Sequence, residues 1–258
     1  MPWERELDAA LRAARRAGEI ALRHRELGVS VETKPDDSPV TAADRECERF
    51  LAAALTEAFP EDGLLGEEGA RAASRSGRRW IIDPIDGTRD YVRGNRLWAV
   101  LIGLETEAGV VAGVAHFPAL GETYSAARGT GAFRDGSSIR VSPVDRLSRA
   151  VLCLNGFNTL SRTTFAGRLI PWMEQFWAVR SLGGAPDAML VASGRAEVWI
   201  EHSAKPWDLA PIQILTEEAG GCFFNFDGGR TIHGGNCVTC APALEAELRR
   251  FVAPGAAG

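Results

Sequence analysis

Two aspartates lie three positions apart at the end of a short apolar run. The run, residues 80–82, predicts a buried strand, and Asp83 and Asp86 follow it closely. Side chains at the end of a buried strand are held rigidly, and binding sites in sheet proteins lie at such strand ends. Carboxylates this close repel one another unless a cation or a proton lies between them. Because no His or Cys adjoins them, their hard oxygen ligands predict a Mg²⁺ site, with Mn²⁺ as a substitute ion.

The residues around these aspartates predict a turn that could hold a substrate. Pro84 is expected to end the strand, so that the chain turns and the two carboxylates converge. Gly87 allows the backbone to approach a ligand, and the N–H groups near Thr88 can receive an anion. The segment therefore favours a cation bound together with an anionic ligand.

Further acidic residues could complete such a site. Glu67 follows an apolar pair at residues 64–65, and Asp208 opens a predicted helix. Taken singly, Glu67 could be a solvated surface residue, Asp208 a helix N-cap, and an Asp-x-x-Asp pair a simple turn. Asp44 can likewise be the reciprocal partner of Thr41 in a capping box. A metal site is favoured only because these residues occur together and in this order.

Two amphipathic helices and then a sheet are predicted around these residues. Apolar positions three and four apart indicate helices over about residues 4–27 and 41–59, and Thr41 is the expected N-cap of the second. From Trp80 to about Ile139, short apolar runs separated by turn residues predict the strands of one meandering sheet.

After Arg149 the pattern alternates between helix and strand. Strands are predicted at 151–154, 179–182, 198–200, 222–226 and 236–240, and helices at 164–176, 185–193, 208–218 and 242–251. This mixture predicts layered α/β or α+β packing. We expect a lobe boundary between residues 140 and 149, which divides an N-terminal lobe (1–145) from a C-terminal lobe (146–258) within one continuous catalytic unit.

The composition narrows the classes of function. The chain has 258 residues, of which 45% are hydrophobic and 24% charged, and a formal net charge of −5, as in a globular protein with a large core. An acidic chain is a poor match for a nucleic-acid backbone. The sequence contains neither an apolar run of about 18 residues nor the apolar core of a secretory signal. We therefore expect a cytoplasmic protein that binds neither nucleic acid nor membrane.

These motifs together resemble the signature of the inositol monophosphatase family of metal-dependent phosphatases. The matching segments are Gly66-Glu67-Glu68, Asp83-Pro84-Ile85-Asp86-Gly87-Thr88 and Trp207-Asp208, supported by Lys34, Asp44 and Glu201. The likeness covers roughly residues 5–250. It implies a layered α-β-α-β-α sandwich and a Mg²⁺-dependent phosphoric monoester hydrolase that acts on a small-molecule phosphate ester. It also implies a homodimer.

The resemblance implies a set of metal ligands. Glu67, Asp83 and the backbone carbonyl of Ile85 would bind a first ion. Asp83, Asp86 and Asp208 would bind a second.

It implies catalytic roles as well. Asp44 and Thr88 would polarise the attacking water, and Glu67 would help to hold a third ion through water. The backbone N–H groups of Gly87 and Thr88 would hold the phosphate in line.

The organic part of the substrate should lie away from the metal ions. In the family, the residue corresponding to Glu201 contacts this part, and a carboxylate there can accept hydrogen bonds from hydroxyls or pair with an amine. Other residues expected to line the same mouth are Arg180, Gly183, Gly184, Ala185 and Asp187.

The segment Lys205-Pro206-Trp207 resembles bacterial members of the family that dephosphorylate L-histidinol phosphate, an intermediate of histidine biosynthesis. We therefore place this ester ahead of inositol 1-phosphate. Another small sugar or nucleotide phosphate is a further alternative.

Two other classes of protein remain open. The segment Asp83 to Thr88 is superficially similar to the aspartyl-nucleophile motif of haloacid dehalogenase-type phosphatases, although there the two acids are two positions apart rather than three. A phosphate-binding protein without turnover is the non-enzymatic alternative. Such a protein would have no need for Asp44 and Thr88 to activate water.

Overall fold

The helices lie on both sides of two sheets. The structure is a computed structural model that describes residues 3–34 and 39–253. Within these ranges the α-helices are α1 (Glu4–Leu27), α2 (Ala42–Ala58), α3 (Thr88–Val92), α4 (Ala166–Met173), α5 (Ala185–Ala192), α6 (Pro206–Glu218) and α7 (Glu245–Val252). Among the described residues, no helix has the length and apolar character needed to cross a bilayer.

The larger sheet has eight strands and contains the acidic motif. Its strands are β3 (Gly63–Gly66), β4 (Arg71–Ala72), β5 (Arg79–Asp86), β6 (Ala99–Thr106), β7 (Gly109–Phe117), β8 (Glu122–Ala127), β9 (Gly131–Arg134) and β10 (Ser137–Ile139). They lie in the order β10-β9-β8-β7-β6-β5-β3-β4. The strands from β5 to β10 form the predicted meander, whereas β3 pairs with β5 in parallel, which the sequence did not predict.

The second sheet has five strands and lies in the C-terminal half. Its strands are β11 (Val151–Leu154), β12 (Ala178–Arg180), β13 (Val198–Glu201), β14 (Cys222–Phe224) and β15 (Cys237–Cys240), in the order β12-β11-β13-β15-β14. A separate antiparallel pair joins β1 (Val31–Thr33) to β2 (Pro39–Thr41).

The elements stack in five layers, as predicted. The helices α1 and α2 share one hydrophobic core with the outer face of the larger sheet. The helices α5 and α6 lie between the two sheets, in a core that includes residues of both. The helices α4 and α7 cover the outer face of the smaller sheet. The α-β-α-β-α arrangement is confirmed.

The apolar run in β6 is continuous because both faces of this strand are buried. Successive side chains of a strand point to opposite faces. Val100 and Ile102 accordingly pack in the core with α1 and α2, whereas Leu101 packs in the core with α5 and α6. Such a run is typical of a sheet covered by helices on both sides.

The prediction that Pro84 ends its strand is wrong. The strand β5 continues to Asp86, and the antiparallel register with β6 shifts between Asp83, opposite Leu101, and Asp86, opposite Ala99. One extra residue in β5 makes this irregularity, as in a β-bulge. Proline is tolerated there because a bulge leaves a residue without a ladder hydrogen bond to donate.

Glycines on β6 and β7 let α6 approach the sheet closely. A Cβ atom on Gly103 would lie 2.6 Å from Ala210 Cβ. A Cβ atom on Gly113 would lie 2.5 Å from Ile214 Cγ2 and 2.9 Å from Pro211 Cα. Any larger residue at these strand positions would push the helix outward, so the two glycines set the distance between α6 and the sheet.

Candidate active site

Four acidic side chains from three parts of the chain converge at the ends of β3 and β5. Glu67 directly follows β3, and Asp83 and Asp86 occupy the last residues of β5. Because β3 and β5 are parallel neighbours, Gly66 lies opposite Ile82, and the residues that follow each of them come together. Asp208 joins them from the first turn of α6.

The three aspartates are close enough to share a cation. One carboxylate oxygen from each of Asp83, Asp86 and Asp208 lies within 4.8 Å of the other two. A backbone N–H orients each carboxylate: Ile85 N donates to Asp83 at 3.0 Å, Ala185 N to Asp86 at 3.2 Å, and Lys205 N to Asp208 at 2.7 Å. Asp208 is thus not the N-cap considered from the sequence. It lies at the third helical position, and the N-cap is Lys205.

Burial and mutual repulsion raise the pKa of all three aspartates. The pKa of Asp83 is well above its usual value, first through burial and then through the charges of Glu67, Asp86 and Asp208. Burial, with the charge of Glu67, raises the pKa of Asp86 to about 7. Burial, followed by the charge of Asp86, raises the pKa of Asp208 well above its usual value. A purely oxygen donor set under this repulsion fits a hard divalent cation, which would offset the charges.

Lys34 lies beside this cluster. Its Nζ atom donates to Glu67 Oε1 at 2.9 Å and to Glu68 Oε1 at 2.6 Å. The lysine thereby offsets part of the negative charge at the end of β3.

Asp44 forms the capping box considered from the sequence and also faces Thr88. Its Oδ2 atom accepts hydrogen bonds from Thr41 N at 2.7 Å and Thr41 Oγ1 at 2.6 Å, so the capping box at the start of α2 is present. Its Oδ1 atom faces Thr88 Oγ1 at 3.3 Å, and this hydroxyl also lies 3.1 Å from Ile85 O. Burial is the main cause that raises the pKa of Asp44.

A cleft of about 340 Å³ opens above these groups. The predicted site residues that line it are Glu67, Asp83, Ile85, Asp86, Gly87, Thr88, Gly183, Gly184, Ala185, Glu201 and Asp208. Residues that the sequence analysis did not single out also line it, among them Arg89, Asp90, Asn155 and Ser203. The cleft therefore joins the acidic cluster to residues of the C-terminal half.

Glu201, the last residue of β13, lines the cleft from the C-terminal half. Only 6% of this residue is exposed, and burial raises its pKa. Its Oε2 atom accepts from Asn155 Nδ2 at 2.7 Å, and its Oε1 atom accepts from Ser203 N at 3.1 Å. Asn155 directly follows β11, so the rule that identified Asp83, a polar residue at the end of a buried strand, could also have identified Asn155.

The remaining predicted residues lie at different distances from the cleft. Gly183 and Gly184 line it, with φ angles of +97° and +50° that favour glycine. Asp187 is fully buried beneath them and accepts hydrogen bonds from the N–H groups of Leu182 and Gly183, so it supports this loop. Arg180 is exposed, its guanidinium donates to Val179 O, and it is not part of the cleft wall formed by the described residues.

Comparison with known proteins gives a consistent result over almost the whole chain. A model of the inositol monophosphatase family matches residues 3–253. The histidinol-phosphatase of Chlorobaculum parvum is 40% identical over 237 residues, which cover 92% of this chain and 92% of that protein. The histidinol-phosphatase of Mycobacterium tuberculosis is 38% identical over 249 residues, 94% of this chain and 96% of that protein. The crystal structure of the extragenic suppressor protein suhB from Bartonella henselae aligns with a TM-score of 0.87 at 30% identity, covering 95% of this chain and 97% of that one.

Proposed function

The chain belongs to the inositol monophosphatase family, and on that premise we propose that it hydrolyses L-histidinol phosphate to L-histidinol and phosphate with the help of Mg²⁺. It is a phosphatase that acts on a small phosphate ester, as its family and relatives are. One observation carries the proposed site. The carboxylates of Asp83, Asp86 and Asp208 converge within 4.8 Å, beside the paired side chains of Thr88 and Asp44.

The divalent ions would be held by Glu67, Asp83, Asp86 and Asp208, together with the backbone carbonyl of Ile85. These groups offer oxygen atoms alone, and the repulsion among the carboxylates supports an ion of charge +2 between them. Such ions supply positive charge that favours deprotonation of the attacking water and offsets the charge developing on the leaving oxygen.

Thr88 and Asp44 would take the proton of the attacking water. The hydroxyl of Thr88 has one proton to donate and lone pairs to accept with, and its proton can point to Asp44 Oδ1. As the water oxygen bonds to phosphorus, its proton passes to Thr88 Oγ1, and the proton of Thr88 passes to Asp44. The bond between phosphorus and the ester oxygen breaks on the opposite side, and the released alcohol takes a proton from solvent. The raised pKa of Asp44 makes it a better proton acceptor.

Glu201 supports L-histidinol phosphate as the substrate, because this ester carries a primary ammonium group. A buried carboxylate held by Asn155 and by the N–H of Ser203 can pair with that ammonium and stay oriented while it does so. The two histidinol-phosphatases at 40% and 38% identity support the same choice.

A panel of phosphate esters assayed with Mg²⁺ tests this proposal. L-histidinol phosphate should give the highest kcat/KM, ahead of inositol 1-phosphate and of sugar and nucleotide monophosphates. Preference for another ester would refute the proposed substrate while leaving the phosphatase class intact. No phospho-aspartate should be trapped during turnover, because water attacks the phosphorus atom directly.

Inositol 1-phosphate is the second candidate. The observation in its favour is again Glu201, since a carboxylate accepts hydrogen bonds from hydroxyl groups as well as from an ammonium. The same panel distinguishes the two esters.

A homodimer is part of the proposal. Among the described residues of the C-terminal half, Ile170 and Trp177 are the most exposed large apolar side chains, at 63% and 73%, which supports a surface covered by a second copy. Light scattering should then give twice the chain mass of 27.7 kDa, and Trp177→Asp should shift the protein toward that single-chain mass.

A further inference from the structure

Glu48 is a buried carboxylate that none of the preceding steps uses. It lies on α2, one turn after Asp44, and only 4% of the residue is exposed. Both of its oxygens accept hydrogen bonds from one loop: Oε2 from Glu68 N and Oε1 from Ala70 N, each at 2.7 Å. An ionised carboxylate that accepts two N–H groups holds them more strongly than a neutral acceptor would.

The loop that Glu48 holds contains Glu67. Gly66 and Ala70 close this loop through the hydrogen bond from Gly66 N to Ala70 O at 2.8 Å, and Glu67 N donates to Ile82 O at 3.2 Å. Glu48 thus binds the loop on the side of α2, while the backbone of β5 binds it on the other side.

Gly66 shows how closely the carboxylate fits. A Cβ atom on Gly66 would lie 2.4 Å from Glu48 Oε2 and 2.6 Å from its Cδ. The backbone of Gly66 does not have the positive φ angle that favours glycine. The absence of a side chain at this position is therefore explained by the space that Glu48 occupies rather than by backbone conformation.

We propose that Glu48 is a positioning residue for the metal site, which acts by fixing the loop from Gly66 to Ala70 so that Glu67 is presented to the divalent ions. The proposal rests on the metal-dependent function proposed above. Together with Asp44, it makes one face of α2 the support for both halves of the site: Asp44 contacts Thr88 at the start of α3, and Glu48 contacts the loop that carries Glu67.

The affinity of the metal-free protein for Mn²⁺ tests this role. It can be measured by titration calorimetry, or by electron paramagnetic resonance, which detects the free ion. Glu48→Gln keeps the size of the side chain but turns an N–H₂ group toward one of the two donors. Glu48→Asp keeps the charge and withdraws the carboxylate by one methylene. Both variants should bind Mn²⁺ about 10-fold or more weakly, as other changes to the partners of metal ligands do. At saturating Mg²⁺, kcat should change less than the affinity for the ion.

A matched control is Glu57→Gln, which removes the same charge from an exposed position on the same helix. It should leave Mn²⁺ affinity unchanged. Hydrogen exchange supplies a second readout: the amides of Glu68 and Ala70 should exchange faster in Glu48→Gln, while those of β5 keep their protection.

Gly66→Ala keeps the test decisive if the Glu48 variants fail to fold. The added methyl group should displace the Glu48 carboxylate and weaken Mn²⁺ binding in the same direction. Combined with Glu48→Gln it should add little further loss, because both changes break the same contact.

Three results would overturn the proposal. These are unchanged Mn²⁺ affinity in Glu48→Gln, full affinity in Glu48→Asp, and an equal loss in the Glu57→Gln control. Failure of the proposed function is recognised separately, since the wild-type protein would then neither bind Mn²⁺ nor hydrolyse any ester in the panel.

Discussion

Thr88 Oγ1 lies 3.3 Å from Asp44 Oδ1, although the two residues are 44 positions apart in the chain. Thr41 holds the other oxygen of Asp44 at the start of α2, so the carboxylate is already oriented toward the threonine. The pair connects α2, which packs on the outer face of the larger sheet, to the start of α3 just after β5. Its geometry is the basis of the proton transfer proposed above.

Removal of either member of this pair should slow the chemical step. Thr88→Ala and Asp44→Asn are expected to lower kcat by about 10²–10⁴-fold, the usual contribution of a positioned acid or base. Mn²⁺ affinity should change little, because neither side chain is among the proposed ligands. Thr88→Ser retains the hydroxyl and should keep most of the activity. Steady-state kinetics at saturating Mg²⁺ checks this, and full activity of Thr88→Ala would exclude the hydroxyl from catalysis.

Asp83→Asn should abolish turnover and leave the fold intact. Because repulsion and burial raise the pKa of Asp83 in the metal-free protein, loss of its charge should also raise the melting temperature in the presence of a chelator. The stabilisation that Mg²⁺ gives the wild-type protein should disappear, since a ligand stabilises only the state that binds it. Asp208→Asn should show the same trend with a raised Mg²⁺ requirement. An undiminished Mg²⁺-dependent shift of the melting temperature in Asp83→Asn would contradict the site.

Gly113→Ala should disturb the site from a distance. The added methyl group would meet Pro211 and Ile214, and such overpacking typically costs about 1–3 kcal/mol in the free energy of unfolding. Because α6 must move outward and Asp208 lies in its first turn, the Mg²⁺ concentration needed for half-maximal activity should also rise.

Gly167→Ala is the control. Gly167 lies in α4 with no neighbouring atom within 4 Å of its Cβ position, so the stability of this variant should be unchanged or higher. Equal behaviour of the two variants would refute this explanation.

Glu201→Gln should reduce the preference for a cationic substrate. The substitution keeps the size of the side chain and removes its charge. A hydrogen bond to a charged group contributes about 1.5–3 kcal/mol, so its loss should raise the KM for L-histidinol phosphate by about 10-fold or more. Inositol 1-phosphate is the internal control. It would be hydrogen-bonded to this side chain through hydroxyls alone, so its KM should rise less. Equal effects on both esters would argue against an ammonium partner.

His116 should make the protein less stable as the pH falls. Burial is the main cause that lowers its pKa, and its Nδ1 atom lies 3.0 Å from Thr123 Oγ1. A hydrogen bond with the backbone of Glu122 favours the charged form, as do Asp135 and Glu19 to a smaller extent, while Arg15 on α1 disfavours it.

Because the folded pKa lies below that of the unfolded chain, the unfolded state binds more protons below about pH 6.5, the ordinary histidine pKa. The free energy of unfolding contributed by His116 should therefore decline as the pH falls below this value, by at most about 1.4 kcal/mol per pH unit. Urea unfolding of the wild type and His116→Gln between about pH 8 and pH 5 checks this. A constant difference between the two proteins would contradict it.

The local pattern of the sequence was sufficient to predict most of the elements. The apolar spacing predicted α1 with its observed ends at Glu4 and Leu27, and the Thr41–Asp44 capping box predicted the start of α2. These features depend on residues within a few positions of one another, so a local pattern encodes them. The acidic motif at the end of β5 was predicted for the same reason, although Pro84 proved to lie at a bulge inside the strand.

The tertiary structure alone decided which distant groups meet. The parallel pairing of β3 with β5 brings Glu67 to Asp83, and the glycines of β6 and β7 bring α6, with Asp208, to the same point. The two hydrogen bonds of Glu48 span 20 and 22 positions of the chain, and the bond from Asn155 to Glu201 spans 46. Contacts of this kind depend on how all the elements bury their apolar faces together, a property of the whole chain that the spacing of neighbouring residues does not encode.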